Sequence, residues 1–417
     1  MKKHSYILLM ACAAIAGAAL LESCSKEGGI SLNGPIQFGM VSRGTLTTKT
    51  VYGKDYLEGE GEDQKATYQS LDWVAGDLIT IASPQAIVQN DASANPAHAA
   101  DYRISTVLST GTATDHQSKA KVVNAGANGL MYDDSYKGSY DFYAIYPNHS
   151  EGRITLTEAG AVSATIPEAQ TLKLGAPKEE SKEYTVDGET VTKTIQYTVY
   201  DPDMQYAFMT AALKEFAPKD EQQTIPLTFT PAFTAFEFNV SSQDDEIELT
   251  KFELCSSDNS DNSDNSDNSD NSDNSDNSDK LAGTFSMTAG TLPTSAPNAT
   301  SSVTVDMTKI DGENPAPKID QTNGLTFTVF TVPVTNTKPL RIKFTSKDGD
   351  ATKTSYLDLK YSNNEAAGTN AGNPVKFLAG HKYRIHMLKL PSSQWKITIT
   401  AVYEDWVKAK DVVEIYI

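Results

Sequence analysis

The sequence predicts an all-β protein built as two β-sandwich domains in tandem. Three observations carry this. Apolar and polar residues alternate with period two along much of the chain, as in Leu340, Ile342 and Phe344 against Arg341 and Lys343. Turn-forming pairs such as Gly76-Asp77 and Asp348-Gly349 separate these runs. About 390 residues follow Cys24, which is enough for two domains.

The N-terminus reads as an export signal. Lys2 and Lys3 give a basic start, and Ile7 to Leu21 is an apolar run of about 15 residues, short for a permanent membrane helix. Leu21-Glu22-Ser23-Cys24 resembles a bacterial lipobox, in which the Cys is diacylated and becomes the new N-terminus. Glu22 departs from the small or apolar residue usual there. The reading is a lipoprotein signal over 1–23 with lipidation at Cys24, against the alternative of an ordinary signal that contains a Cys.

In Ile30 to Arg43 the apolar residues Ile30, Leu32, Ile36, Phe38 and Met40 fall on even positions, which predicts a strand with one buried face, bent at Gly34-Pro35. Gly76-Asp77 turns into a strand at Leu78 to Ile81, and Pro84 to Ala100 reads as a loop. Tyr140 to Tyr146 is apolar on both parities and predicts a strand covered on both faces. Thr165-Ile166-Pro167 reads as linker-like, Lys178 to Thr194 as a charged hairpin arm, and Gln205 to Lys214 as a short helix.

The polar stretch 217–223 is expected to be the boundary between an N-terminal domain at 44–216 and a C-terminal domain at 224–417. The parity of apolar residues changes near Pro231-Ala232, predicting a break. Residues 257–279 repeat Ser-Asp-Asn seven times and end Ser-Asp. With no apolar side chain to bury, this segment cannot offset its ordering entropy and reads as a disordered insertion between two strands of one hairpin. Cation binding by its regularly spaced Asp residues is the open alternative. Further strands follow at Leu325 to Val334, Thr354 to Leu359, Tyr383 to Met387, Trp395 to Tyr403 and Val412 to Ile417.

Composition narrows the function classes. The formal charge of −19 becomes −20 once Lys2, Lys3 and Glu22 leave with the signal, which disfavours a nucleic-acid partner. Cys12 leaves too and Cys24 is the lipid site, so Cys255 has no disulfide partner and reads as a buried, inert thiol. No metal site, cofactor site or catalytic motif is legible. His381 and His386 are five apart on an extended stretch and point to opposite faces. The expectation is a protein that is not an enzyme and needs no cofactor.

Several blocks together resemble the fimbrillin family of Bacteroidales, the subunits of type V pili: Trp73-Val74-Ala75-Gly76-Asp77, Tyr140 to Pro147, Leu227 to Phe236, Ala379-Gly380-His381-Lys382-Tyr383 and the Trp395 strand. The resemblance implies two transthyretin-like sandwiches and export as a lipoprotein to the outer membrane and the cell-surface fimbrium. It also implies removal of an N-terminal strand, often by a cut after Arg, and polymerisation by strand exchange. Carried onto this sequence, Ile36, Phe38 and Met40 belong to the removable strand, within a tether and strand at 24–43, and Arg43-Gly44 is the cleavage site. Val413, Ile415 and Ile417 share one parity and suit a donor strand. The implied partners are other pilin subunits, membrane lipid through Cys24, a maturation protease and a host or bacterial surface ligand. A permanently anchored lipoprotein that binds glycans without polymerising is the alternative, and an unrecognised hydrolase the third.

Overall fold

The computed structural model describes the chain between Leu32 and Tyr416, apart from short gaps and the segments 44–50, 59–64, 111–116, 257–279, 361–373, 390–394 and 403–412. The fold is all-β, with short 3-10 turns such as Met204–Tyr206 and Met307–Gly312.

The first part is not an open sandwich. Seven strands close into a ring in the order Gln37–Arg43, Thr224–Pro231, Met209–Phe216, Tyr140–Tyr146, Leu78–Ala82, Ala99–Ser109 and Gln117–Asn124, which pairs back onto Gln37–Arg43. Lys65–Asp72 and Val51–Glu58 extend one side of the ring. Ile79, Ile81, Tyr102, Ile104, Phe142 and Phe229 fill its interior. Tyr140–Tyr146 is buried on both parities as the sequence predicts, with only Asp141 partly exposed. A four-stranded sheet of Ile154–Leu156, Ala161–Ile166, Ala282–Thr288 and Asn298–Thr300 contributes Ile154, Val162, Ala164 and Phe285 to the same core.

The second part is a sandwich of two facing sheets. One contains Glu189–Pro202, Asn323–Thr331, Thr234–Ser242, Lys382–Lys389, Trp395–Val402 and Val413–Tyr416 in that order. The other contains Ser302–Asp306, Ile247–Ser256, Leu340–Asp348 and Ala351–Asp358. Phe238 and Phe327 of the first sheet meet Phe252 of the second at ring-centroid distances of 4.6 and 4.8 Å. Such aromatic pairs add about 0.5–1.5 kcal/mol beyond their burial.

Several local expectations change. Gln205 to Lys214 is not a helix: after one 3-10 turn, Met209–Phe216 is a ring strand between Tyr140–Tyr146 and Thr224–Pro231. Closing the ring outweighs the helix propensity of its Ala, Leu and Lys residues. Thr165 and Ile166 lie inside a strand rather than a linker. Residues 217–223 join two strands of the same ring, and the chain passes to the sandwich at Ala232 and Phe233, the parity break. Residues 169–202 contribute strands to the sandwich sheets although they precede that point.

Residues 257–279 lie outside the described residues. Their flanks are not one hairpin, because Ile247–Ser256 belongs to the sandwich and Ala282–Thr288 to the four-stranded sheet. The two flanks nevertheless end side by side. Ser256 N donates to Ser301 O at 3.0 Å, and Leu281 N donates to Thr300 O at 2.8 Å. A short link can therefore replace the repeat. Cutting 257–279 to about five Gly/Ser residues should stabilise the chain by about 1 kcal/mol through the smaller loop-closure entropy. Thermal melting with and without calcium checks this; a large loss, or strong calcium stabilisation of the full repeat, would contradict it.

One side chain stands in for a strand. Gln170 Nε2 donates to Phe330 O at 2.6 Å, and Phe330 N donates to Gln170 Oε1 at 3.0 Å, both buried. Gln170→Leu should cost about 1–3 kcal/mol for each backbone group it orphans, read by urea denaturation.

Candidate functional site: the slot of the first strand

The even-parity strand closes the ring. Gln37–Arg43 runs parallel to Thr224–Pro231, from Gln37 opposite Thr224 to Ser42 opposite Phe229. On its other side it runs antiparallel to Gln117–Asn124, from Gly39 opposite Lys121 to Arg43 opposite Gln117. Just before it, Ile36 N donates to Leu130 O at 2.9 Å and Tyr132 N donates to Gly34 O at 3.1 Å. The segment is thus held from Gly34 to Arg43, and among the described residues no ladder joins its two flanking strands directly.

Burial follows the parity. Ile36 and Phe38 are buried, whereas Pro35 and Gln37 are exposed. Phe38 packs edge-to-face on Tyr102 at 5.2 Å and on Phe142 at 5.4 Å. Tyr102 is fixed in turn, because its hydroxyl oxygen accepts from Leu130 N at 2.7 Å, and burial pushes its pKa above the usual phenol range. Gly39 is a close approach to the neighbouring strand, where a Cβ would stand 3.2 Å from the Thr224 methyl.

Three blocks singled out in the sequence converge on this ring. The Trp73 indole meets Tyr146 at 5.6 Å and Phe229 at 5.3 Å, both edge-to-face. Trp73 N donates to Ser118 Oγ at 3.0 Å, and Val74 N donates to Asp77 Oδ2 at 3.1 Å, closing the turn in which Gly76 takes a φ of 101°. That tryptophan, tyrosine and phenylalanine belong to one packed cluster is not visible from their spacing of about 70–80 residues each.

No family model matches the chain, and no curated protein matches it. Among solved structures, it is similar to a candidate cell adhesion protein from Bacteroides ovatus, with 15% identity, a TM-score of 0.43, and coverage of 91% of this chain and 99% of that chain. A second candidate cell adhesion protein, from Bacteroides uniformis, gives 14% identity, a TM-score of 0.42, and coverage of 89% and 99%. The tip fimbrial protein Mfa3 from Porphyromonas gingivalis gives 9% identity, a TM-score of 0.30, and coverage of 89% and 100%.

Of the other expected site residues, Met40 lies in the first strand and Arg43 is its last residue. Cys24, Gly44 and Ile417 lie outside the described residues. Val413 and Ile415 lie in Val413–Tyr416, which pairs antiparallel with Trp395–Val402 at the end of the larger sandwich sheet. The last strand is therefore already paired within its own chain, in a different sheet from the first-strand slot. Cys255 is buried, and burial, followed by the nearby Glu253 carboxylate, pushes its thiol up to about 11. It is protonated at neutral pH and a poor nucleophile.

Proposed function

We propose that the chain is a structural subunit, of shaft or tip, of a cell-surface fimbria that supports adhesion. In this reading it is exported as a lipoprotein through Cys24, cut between Arg43 and Gly44, and assembled with other subunits by strand exchange. The observation that carries it is the placement of Gln37–Arg43, which closes a ring between two strands that its removal would leave apart. Losing it strips Thr224–Pro231 and Gln117–Asn124 of ladder partners on one side and opens the pocket that Phe38 fills. An edge with unpaired N–H and C=O groups over an apolar groove invites a strand from another chain. Val413, Ile415 and Ile417 have the alternation such a strand needs. The two facing sheets of the second part support a transthyretin-like reading there, with the ring as its closed counterpart.

The test is the N-terminal residue of the mature surface form together with two variants. Gly44 at the N-terminus marks a processed pilin. Arg43→Ala should leave an unprocessed monomer, and deletion of 411–417 should leave a processed subunit that does not form ladders on denaturing gels run without heating. Normal ladders from the deletion variant would exclude the C-terminal strand as donor.

One observation favours the second reading, an anchored lipoprotein that captures surface ligands without polymerising. Val413–Tyr416 is already paired with Trp395–Val402, so donating it costs those ladder bonds. Cys24 as the permanent N-terminus would select this reading.

A further inference from the structure

On the outer face of the ring, Asn148, His149 and Leu156, which follow Tyr140–Tyr146, lie against the ring strands Leu78–Ala82 and Ala99–Ser109 and border an open cleft of about 640 Å³. That volume lies within the range of small-ligand sites, roughly 300–1,000 Å³. The wall is built rather than incidental. Asp101 Oδ1 accepts from Thr80 Oγ1 at 2.5 Å, and Asp101 Oδ2 accepts from Asn148 Nδ2 at 2.9 Å. Thr80 Oγ1 also accepts from His149 N at 2.8 Å. Thr80 and Asn148 are buried, so the carboxylate is clamped at its position with one lone pair on each oxygen still available.

The neighbouring polar groups supply both donors and acceptors. Leu156 N donates to His149 Nδ1 at 3.4 Å, which leaves the proton of the neutral imidazole on Nε2 as a donor. Asn128 adds an amide at the rim, while Leu78, Val88 and Leu156 line the cleft with aliphatic surface.

We propose that this cleft binds a pyranose ring of a glycan. A sugar hydroxyl both donates and accepts, so it suits a wall that mixes a fixed carboxylate with amide and imidazole donors. The axial C–H groups of the ring would rest on the aliphatic side. A divalent cation does not suit the wall, because such ions want six or more oxygen ligands and several carboxylates. Among the described residues no group of three or more His, Cys, Asp or Glu is placed to hold one. The proposal deepens the adhesive part of the reading above and rests on it, but it needs no strand exchange.

The test is saturation-transfer NMR on the purified, unpolymerised full chain. The probes are the methyl glycosides of mannose, galactose, fucose and N-acetylglucosamine, with methylammonium as the cation probe. At least one glycoside should bind saturably. Asp101→Asn should weaken it tenfold or more. Ala99→Trp should do the same by filling the cleft, since Ala99 lies two residues before Asp101 on the same face of its strand. Melting temperatures of both variants confirm folding, and the tryptophan variant stands as the test if the asparagine variant does not fold. Three results would overturn the proposal: no glycoside binds saturably, a glycoside binds equally well to the folded variants, or methylammonium binds at Asp101 and displaces the sugar. Ladder formation is read separately, so failure here leaves the polymerisation reading standing, and the reverse.

Discussion

Glu237→Ala should be the most damaging single substitution in the sandwich, lowering stability by about 3–5 kcal/mol. Glu237 is buried in the larger sheet, on the opposite parity from the core residues Phe236 and Phe238. Its Oε2 lies 2.6 Å from Lys382 Nζ, and its Oε1 lies 2.5 Å from Arg384 Nε. Both cations sit on Lys382–Lys389, the parallel neighbour, where Glu237 is directly opposite Arg384. One carboxylate therefore serves two buried cations, and removing it leaves both without that partner in a low dielectric. Asp201 is also close enough to Lys382 to interact, though burial holds its own carboxyl above the usual range. Urea denaturation of Glu237→Ala checks the prediction. A combined Glu237→Met, Lys382→Met and Arg384→Leu variant should recover much of the loss, because an apolar replacement of a whole buried ionic cluster is often neutral.

The same cluster sets a pH dependence. Burial alone would raise the Glu237 pKa, but Lys382 and then Arg384 more than offset it and hold it well below the usual carboxylate range. A group whose pKa is depressed on folding contributes stability that is complete above its unfolded value and is lost as pH falls towards its folded value. The sandwich should therefore keep this contribution at neutral pH and lose it below about pH 4. Across stability curves from pH 7 to pH 3, the difference between wild type and the apolar triple variant should stay constant down to about pH 4 and shift against wild type below it.

The second large effect belongs to Phe38→Ala, expected to cost about 3–5 kcal/mol in the full-length chain. The ring is buried and makes two edge-to-face contacts, and its strand closes the barrel, so neighbouring strands cannot collapse into the space without breaking register. If a cut after Arg43 removes the strand, the same substitution should leave the processed subunit unchanged, since Phe38 is then gone. Thermal denaturation of both forms separates the two cases. Equal destabilisation of full-length and mature surface protein would mean the strand is never released.

Period-two patterns carried most strand positions, and their success has a physical basis. Ile36 and Phe38 alternate with exposed neighbours because one side of that strand faces the barrel interior, and Leu340–Asp348 pairs antiparallel with Ala351–Asp358, from Arg341 with Asp358 to Asp348 with Ala351. Closure of the ring was not legible. It depends on Gln37–Arg43 finding Thr224–Pro231 across some 180 residues, and no local preference encodes that partner. Met209–Phe216 misled for the same reason, since its residue types favour a helix when read alone. The cleft beside Asp101 left no trace in the sequence either, because Thr80, Asp101 and Asn148 come from three separated segments and none forms a motif.

The direction in which the first strand is held has a mechanical consequence. It is gripped by six register partners on one side and five on the other. Ladder bonds lie across a strand, perpendicular to it where the pairing is antiparallel. A pull along the strand therefore loads the whole ladder in shear instead of peeling it one bond at a time. Any strand seated in that slot from a neighbouring subunit would be loaded the same way, and its resistance would be set by the rate of a concerted rupture. A filament joined at this point would yield by abrupt breakage under tension, and its joints would not creep.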